Sequence, residues 1–271
     1  MHRTIIIAEI GENHLGKIEL AKQMVQEAAM AGTDIVKFQS YRGKDFRDDD
    51  PEKEWVYKVE LSNESHFELK QFAEANGVEF LSSPFSRERA QFLVEELRLK
   101  RIKIASGVML NFSILDYLSS AKSIEEVIIS TGMATVEEVK TALARLKGIP
   151  KRTLLHCTTQ YPCQDAEANL LAIQSLQEVF PRLDVGYSDH TVGMEACLAA
   201  VALGAKVIEK HFTLNKQWTE GTDHVLSLEP LEFRSMVNAI RRIEVMRGVR
   251  AKGPTSSEKK IREFVRSRFP S

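Results

Sequence analysis

The strongest chemical signal in this sequence comes from Glu9, Lys37, Lys103, His190 and His211. Each lies inside or at the end of a short run rich in β-branched residues. An ionisable side chain that faces a core costs several kcal/mol unless it is paired or solvated. Lys37 and Lys103 are therefore expected to point at an anion. Ser83, Ser106 and Ser188, with Gly107, add small hydroxyl and backbone donors near them, so a phosphate plus a carboxylate is one ligand that fits. A Schiff-base lysine aldolase is the rival reading of the same lysines. Glu9 is suited to general base catalysis or to accepting from a substrate hydroxyl, and a salt bridge to Lys37 is compatible with both. His190 and His211 follow neighbouring strands, where two imidazoles suit a divalent transition ion. A hydrogen-bonded structural pair is the other reading. His156 lies within its run and is expected to pack. His14 is expected to hydrogen-bond or touch ligand, while His2, His66 and His224 carry weaker signals. Asp223, in the loop after the last strand, is suited to a polyol.

These residues need elements to hold them. Strands are expected over 4–10, 34–39, 78–82, 101–105, 127–130, 153–157, 183–187 and 206–210. Helices are expected over 18–31, 65–76, 86–97, 112–121, 136–147, 170–180, 194–203 and 230–247. Gly77 ends the second helix as a C-cap glycine would. Residues 41–63 read as a long polar loop with a helical turn. Strict βα alternation implies a parallel sheet with crossover helices. Eight units in 271 residues predict a closed (β/α)8 TIM barrel in a single domain over 1–249, with an open sheet as the alternative. In a barrel the strands' carboxyl ends carry the site, and here all of them are polar. Residues 250–271 read as a basic tail ending in a short surface helix.

Composition excludes several classes. Lys and Arg number 37 against 38 Asp and Glu, so nothing points to a nucleic-acid surface. The apolar runs fall short of the roughly 18 residues a membrane helix needs, and no membrane association is expected. The N-terminal run is broken by Glu9 and reads as a strand rather than a signal peptide. Three dispersed cysteines fit a reducing compartment, and a cytoplasmic protein is expected. No P-loop spacing is present.

The blocks AEIGENHLG, AGTDIVKFQ, SSPF, KIASG, STGMAT, LLHCTTQYP, VGYSDHT, ALGAKVIEKHFT and GTDHVLSLEP occur in that order. Together they resemble the sialic acid synthase family, the N-acetylneuraminate-type synthases, over about 5–247. The resemblance implies a (β/α)8 barrel that condenses phosphoenolpyruvate with an amino-sugar or related aldose and releases phosphate. The products would be sialic, legionaminic or pseudaminic acids, with Mn2+ or Mg2+ as cofactor. It also implies the roles. Glu9, Lys103, His190 and His211 form the catalytic set, with His190 and His211 on the metal. Lys37, Gln39, Ser83, Ser106, Thr159 and Ser188 fall on the phosphoenolpyruvate side. Tyr161 and Asp223 fall on the sugar side.

The sequence departs from the family in three places. Many members continue into an antifreeze-like domain that reaches over the partner subunit's site. The blocks here end without one, so either a separate capping protein or the tail is expected to cover the site, or the substrate needs no cap; a homodimer is the other partner expectation. Val108 stands where an acid is common, and Thr159 where Asn or Ser is common. A non-catalytic sugar-binding barrel needing a partner domain is the further alternative.

Overall fold

The computed structural model describes residues 3–221, 223–249 and 251–269. Its centre is an eight-stranded parallel sheet that curls into a barrel. The strands are β1 (Ile5–Gly11), β2 (Ile35–Ser40), β3 (Glu79–Pro84), β4 (Arg101–Ile104), β5 (Glu126–Ser130), β6 (Lys151–Cys157), β7 (Asp184–Asp189) and β8 (Val207–His211). Their order is β3-β2-β1-β8-β7-β6-β5-β4. The two end strands, β3 and β4, pack against each other and bring the barrel to near closure. The predicted barrel and its strand order along the chain are what the molecule has.

Side-chain alternation divides the core into two. Outward residues such as Ile6, Ala8, Val36, Phe38, Ile102, Ile104, Val127 and Ile129 pack under the helices in the large apolar core. Inward residues Ile7, Ile35, Leu81, Ile128, Leu155 and Val207 form a separate apolar plug. Gly186 of β7 belongs at this level. A Cβ there would lie 2.3 Å from the Val207 carbonyl oxygen and 2.6 Å from Leu155 Cδ2, so only glycine lets the barrel close here.

Below the plug, inward polar residues link strand to strand. Arg101 Nε meets Glu126 at 2.7 Å, Thr153 donates to Glu126 at 2.6 Å, and Lys151 reaches Glu126 at 3.1 Å and Asp184 at 3.4 Å. Arg101 also pairs with Glu79, which joins β4 to β3 where no ladder does. Above the plug lies a second polar level, which forms the site.

The helices follow from local signals. α1 (Ile18–Ala31) buries Ala21, Met24, Val25 and Ala28, a single stripe at helical spacing. α9 (Pro230–Met246) opens on a capping box between Glu229 and Glu232 with Pro230 in its first turn, and buries Phe233, Met236, Val237 and Ile240. α3 (Asn63–Ala75) is capped by Ser62, and α6 (Val136–Arg145) by Thr135 with Glu138. The helix predicted over 86–97 divides into α4 (Arg87–Gln91) and a wider π-type turn at Phe92–Glu96. The loop predicted over 41–63 contains more than a turn. It holds α2 (Lys53–Val59), whose Val56 and Val59 pack on Tyr41. The remaining helices, α5 (Phe112–Ser120), α7 (Ala172–Val179) and α8 (Glu195–Ala202), fall where predicted. α10 (Ser256–Ser267), in the basic tail, is exposed on every face. Residues 1, 2, 222, 250, 270 and 271 of the predicted units, with His2 among them, lie outside the described residues. Among the described residues no helix is long and apolar enough to cross a membrane.

His66 of α3 is buried between Phe80 and Phe92, with Nδ1 against the Ser62 carbonyl oxygen at 2.8 Å. Burial pushes its pKa down from 6.5 to about 3. The folded state therefore holds it neutral where the unfolded chain takes up a proton. Its contribution is present above pH 6.5 and is lost as pH falls toward 3. Between pH 7 and pH 5 this amounts to about 2 kcal/mol. Urea unfolding at the two pH values should show His66→Gln losing about 2 kcal/mol less than the parent chain on acidification.

Candidate active site

At the level above the plug every strand turns one polar or sulfur-bearing side chain inward. These are Glu9 (β1), Lys37 (β2), Ser83 (β3), Lys103 (β4), Ser130 (β5), Cys157 (β6), Ser188 (β7) and Glu209 (β8), all buried. Register explains the assembly, because Glu9 lies opposite Lys37 on one side and His211 on the other. Lys37 Nζ is 2.6 Å from Glu9 Oε2 and 3.8 Å from Glu209 Oε2. Lys103 Nζ is 3.5 Å from Glu209 Oε1 and donates to Ser130 Oγ at 2.6 Å. Ser188 Oγ donates to Glu209 Oε1 at 2.8 Å.

The two glutamates differ. Burial raises the Glu9 pKa to about 7, against the pull of Lys37 and with a push from the Glu209 charge. Glu209 is just as buried, but Lys103, Lys37 and the Ser188 hydroxyl hold it down at about 2. Lys37 is raised by the same carboxylates, although the carboxylate it touches is the one driven toward neutrality. Glu209 thus takes the larger share of the lysines' field, because both reach it. Burial lowers the Lys103 pKa against the pull of Glu209, and the result is a floor with one firmly ionised acid beside two lysines and a second acid tuned near neutrality.

A cavity of about 460 Å3 rises from this floor. Among the residues expected at the site, Glu9, Lys37, Gln39, Lys103, Ser106, Thr159, Tyr161, Ser188, His190, His211 and Asp223 all border it. Ser83 does not. It lies behind Lys37 and accepts from Nζ at 3.4 Å. Ser106, Gly132 and Thr159 converge on one side. Gly132 N–H donates to Ser106 Oγ at 3.1 Å, and a Cβ at Gly132 would lie 2.1 Å from Thr159 Oγ1. That Thr159 oxygen is buried without a hydrogen-bond partner, so its hydroxyl could donate to a ligand in the cavity.

His190 and His211 lie with ring centroids 5.3 Å apart, and Tyr161 packs on His190 with ring centroids 4.1 Å apart and planes tilted by 34°. His190 Nδ1 donates to the Thr158 carbonyl oxygen at 2.7 Å. This fixes the tautomer and turns Nε2 into the available ligand. Cys157 Sγ is 3.8 Å from the same Nδ1. Burial opposes both charges, yet the contact lowers the thiol and raises the imidazole. Burial and the nearby cations hold His211 well below its ordinary pKa, so it is a neutral imidazole. Its Nδ1 sits 3.4 Å from Asp223 Oδ2. Among the described residues no three His, Cys, Asp or Glu side chains converge as a closed metal site requires. Two imidazoles instead fit an open site that completes its shell with water and substrate.

The loop bearing His190 is anchored from behind the sheet. Asp189 and Lys210 are wholly buried and 2.7 Å apart. Asp189 Oδ1 also accepts from Tyr187 Oη, Thr191 N and Thr191 Oγ1, at 2.9–3.0 Å. His156 packs outside the barrel on Tyr187 and donates to the Ala168 carbonyl oxygen at 2.9 Å. His14 serves its own turn, accepting from Gly16 N at 3.1 Å, and His224 bonds Thr213.

Four site residues escaped the sequence reading. Glu209 and Ser130 were visible as strand ends, and alternation alone puts Glu209 on the same face as His211. Cys157 has the same parity on β6. Glu12 carried no signal, because its place depends on a distant tyrosine and tryptophan.

The sequence pattern of the NeuB family matches residues 24–252. The N,N'-diacetyllegionaminic acid synthase of Campylobacter jejuni subsp. jejuni serotype O:2 is 45% identical over 98% of this chain and 84% of its own length. The N-acetylneuraminate-9-phosphate synthase of Homo sapiens is 36% identical over 90% of this chain and 71% of its own. Among solved structures, the N-acetylneuraminic acid synthetase of Leptospira borgpetersenii serovar Hardjo-bovis in complex with citrate superposes with a TM-score of 0.91 at 34% identity. That match covers 98% of this chain and 92% of the other.

The Asp189–Lys210 pair generates a stability prediction. Asp189→Asn leaves the Lys210 ammonium buried without its counter-ion and should lower the unfolding free energy by about 3 kcal/mol. The double variant Asp189→Asn/Lys210→Met should recover more than half of that, as read by urea denaturation.

Proposed function

The chain belongs to the NeuB family, and from that premise we propose that it condenses phosphoenolpyruvate with an aldose to make a nonulosonic acid and inorganic phosphate. The observation that carries the reading is the floor: two buried lysines over one ionised glutamate, with Glu9 tuned near neutrality.

Lys37 and Lys103 hold the carboxylate and phosphate of phosphoenolpyruvate, and Ser106, Thr159 and Ser188 supply hydroxyl donors around them. With the enol pinned, its C3 forms a bond to the aldehyde carbon and the aldehyde oxygen gains a proton. Water adds at C2 and gives up a proton, and the C2–O bond to phosphate breaks. Atoms and charge balance without any redox partner. Glu9 is placed to carry one of these protons, since a group with a pKa near 7 exchanges them readily at neutral pH. Tyr161 and Asp223 face the sugar.

His190 and His211 are the residues to hold a divalent ion, Mn2+ or Mg2+. Imidazole donors favour Mn2+ of the two. When bound, the ion supplies a Lewis acid for the sugar carbonyl.

The test is phosphate release from phosphoenolpyruvate with Mn2+ and a panel of aldoses: N-acetylmannosamine, mannose, arabinose and di-N-acetylated hexoses. Release is expected with one sugar class, abolished by chelator, and reduced on the order of 100-fold or more in His211→Ala. Calorimetry should show that variant losing Mn2+ affinity while keeping its fold by circular dichroism. Borohydride trapping of a carbonyl substrate on Lys37 or Lys103, with no phosphate released, would replace the reading with a Schiff-base aldolase.

A further inference from the structure

The outer half of the cavity is built differently from its floor. The connection from β2 to α3 folds over a small apolar cluster of Tyr41, Val56 and Val59, joined by Phe46, Trp55 and Phe85. Glu12, in the turn after β1, is clamped from that cluster. Tyr41 Oη donates to Oε1 at 2.8 Å, and Trp55 Nε1 donates to Oε2 at 2.7 Å. The loop after β8 closes on the same wall. A Cβ at Gly221 would lie 3.0 Å from Trp55 Cζ2, and Lys58 pairs with Glu220 at 2.5 Å. Glu12 therefore borders the cavity in a fixed pose, and each of its oxygens keeps a lone pair beyond the bond it already accepts.

The charges that act on Glu12 across the cavity are acidic. Burial raises the Glu12 pKa, and the charges of Asp223 and Glu52 add to that rise. Both of those acids border the cavity too. Among the described residues lining the cavity, Lys and Arg are represented by Lys37 and Lys103 alone, and both are on the floor. A carboxylate here accepts from hydroxyl and amide donors. A phosphate brought to the same place would meet like charge in a partly desolvated setting, away from the two lysines that line the cavity.

We propose that Glu12 is a specificity-determining residue that accepts hydrogen bonds from the end of the acceptor sugar remote from the reacting carbon, and that this acceptor is an uncharged hexose, unphosphorylated at that end. The inference rests on the condensation reading for there being an acceptor. Its test is chosen to fail separately.

The experiment is calorimetric binding of N-acetylmannosamine, mannose and their 6-phosphates to the full chain, without phosphoenolpyruvate, beside phosphate-release kinetics with it. The parent chain is expected to bind a neutral hexose at least 100-fold more tightly than its 6-phosphate. Glu12→Gln should narrow that ratio at least 10-fold by weakening the neutral sugar, while KM for phosphoenolpyruvate is unmoved. Binding of no neutral hexose, equal or tighter binding of the 6-phosphate, or an unchanged ratio in Glu12→Gln overturns the proposal. The parent-chain ratio is decisive even if the variant does not fold. Selective neutral binding without phosphate release defeats the condensation reading and leaves Glu12 as the selector of a bound neutral hexose. Phosphate release with the 6-phosphate preferred does the reverse.

Discussion

Two lysines and two glutamates buried at one level of a barrel would each lose several kcal/mol of hydration. They are tolerable only because each touches an opposite charge or a hydroxyl: Lys37 with Glu9, Lys103 with Glu209 and Ser130, Glu209 with Ser188. That mutual dependence dictates the register of the strands that carry them. A one-residue slip in β2 or β4 would send a lysine under a helix and leave a carboxylate bare. The apolar plug beneath is set by the same alternation, since Ile7, Ile35 and Val207 each lie two residues before a floor residue on their own strand.

The floor's two acids show how environment divides labour between like groups. Both are buried, and the difference comes from the close approach of Lys103 and the Ser188 hydroxyl to Glu209. The arrangement leaves an anion-attracting surface with a proton carrier beside it. The imidazole side is built on another principle, with a backbone carbonyl fixing the His190 tautomer and burial holding the His211 pKa down. The mouth, in turn, is lined by Glu12, Glu52 and Asp223. Floor, imidazole pair and mouth thus differ in charge character, as a site for two unlike substrates requires.

The barrel was legible because period and punctuation agree along the chain. Lys37 and Lys103 stood out because a lysine inside a β-branched run has no inexpensive place to go. Glu209 was as visible in principle, but its neighbours Lys210 and His211 made the cluster look like an ordinary polar strand end. Alternation separates them, with Glu209 and His211 facing in and Lys210 facing out to Asp189. Glu12 was not legible. Its pose comes from Tyr41 and Trp55, and the helix that carries Trp55 was hidden in a stretch of charged residues that reads as loop. Ser83 illustrates the opposite case, where a motif position acts through the lysine in front of it.

The seam between β3 and β4 has a consequence for how the barrel breathes. Among the described residues no ladder joins these strands, and the Arg101–Glu79 pair bridges them at one end. Backbone amides along this line are held by packing instead of by a neighbour's carbonyl, so excursions that part the barrel start here at lower free energy than anywhere a ladder must be broken. Ser83 lies on one lip and Lys103 on the other. Water admitted through such a parting would reach the charged floor from the side, and the proton affinities set there by dryness would relax toward those of free side chains until the lips met again.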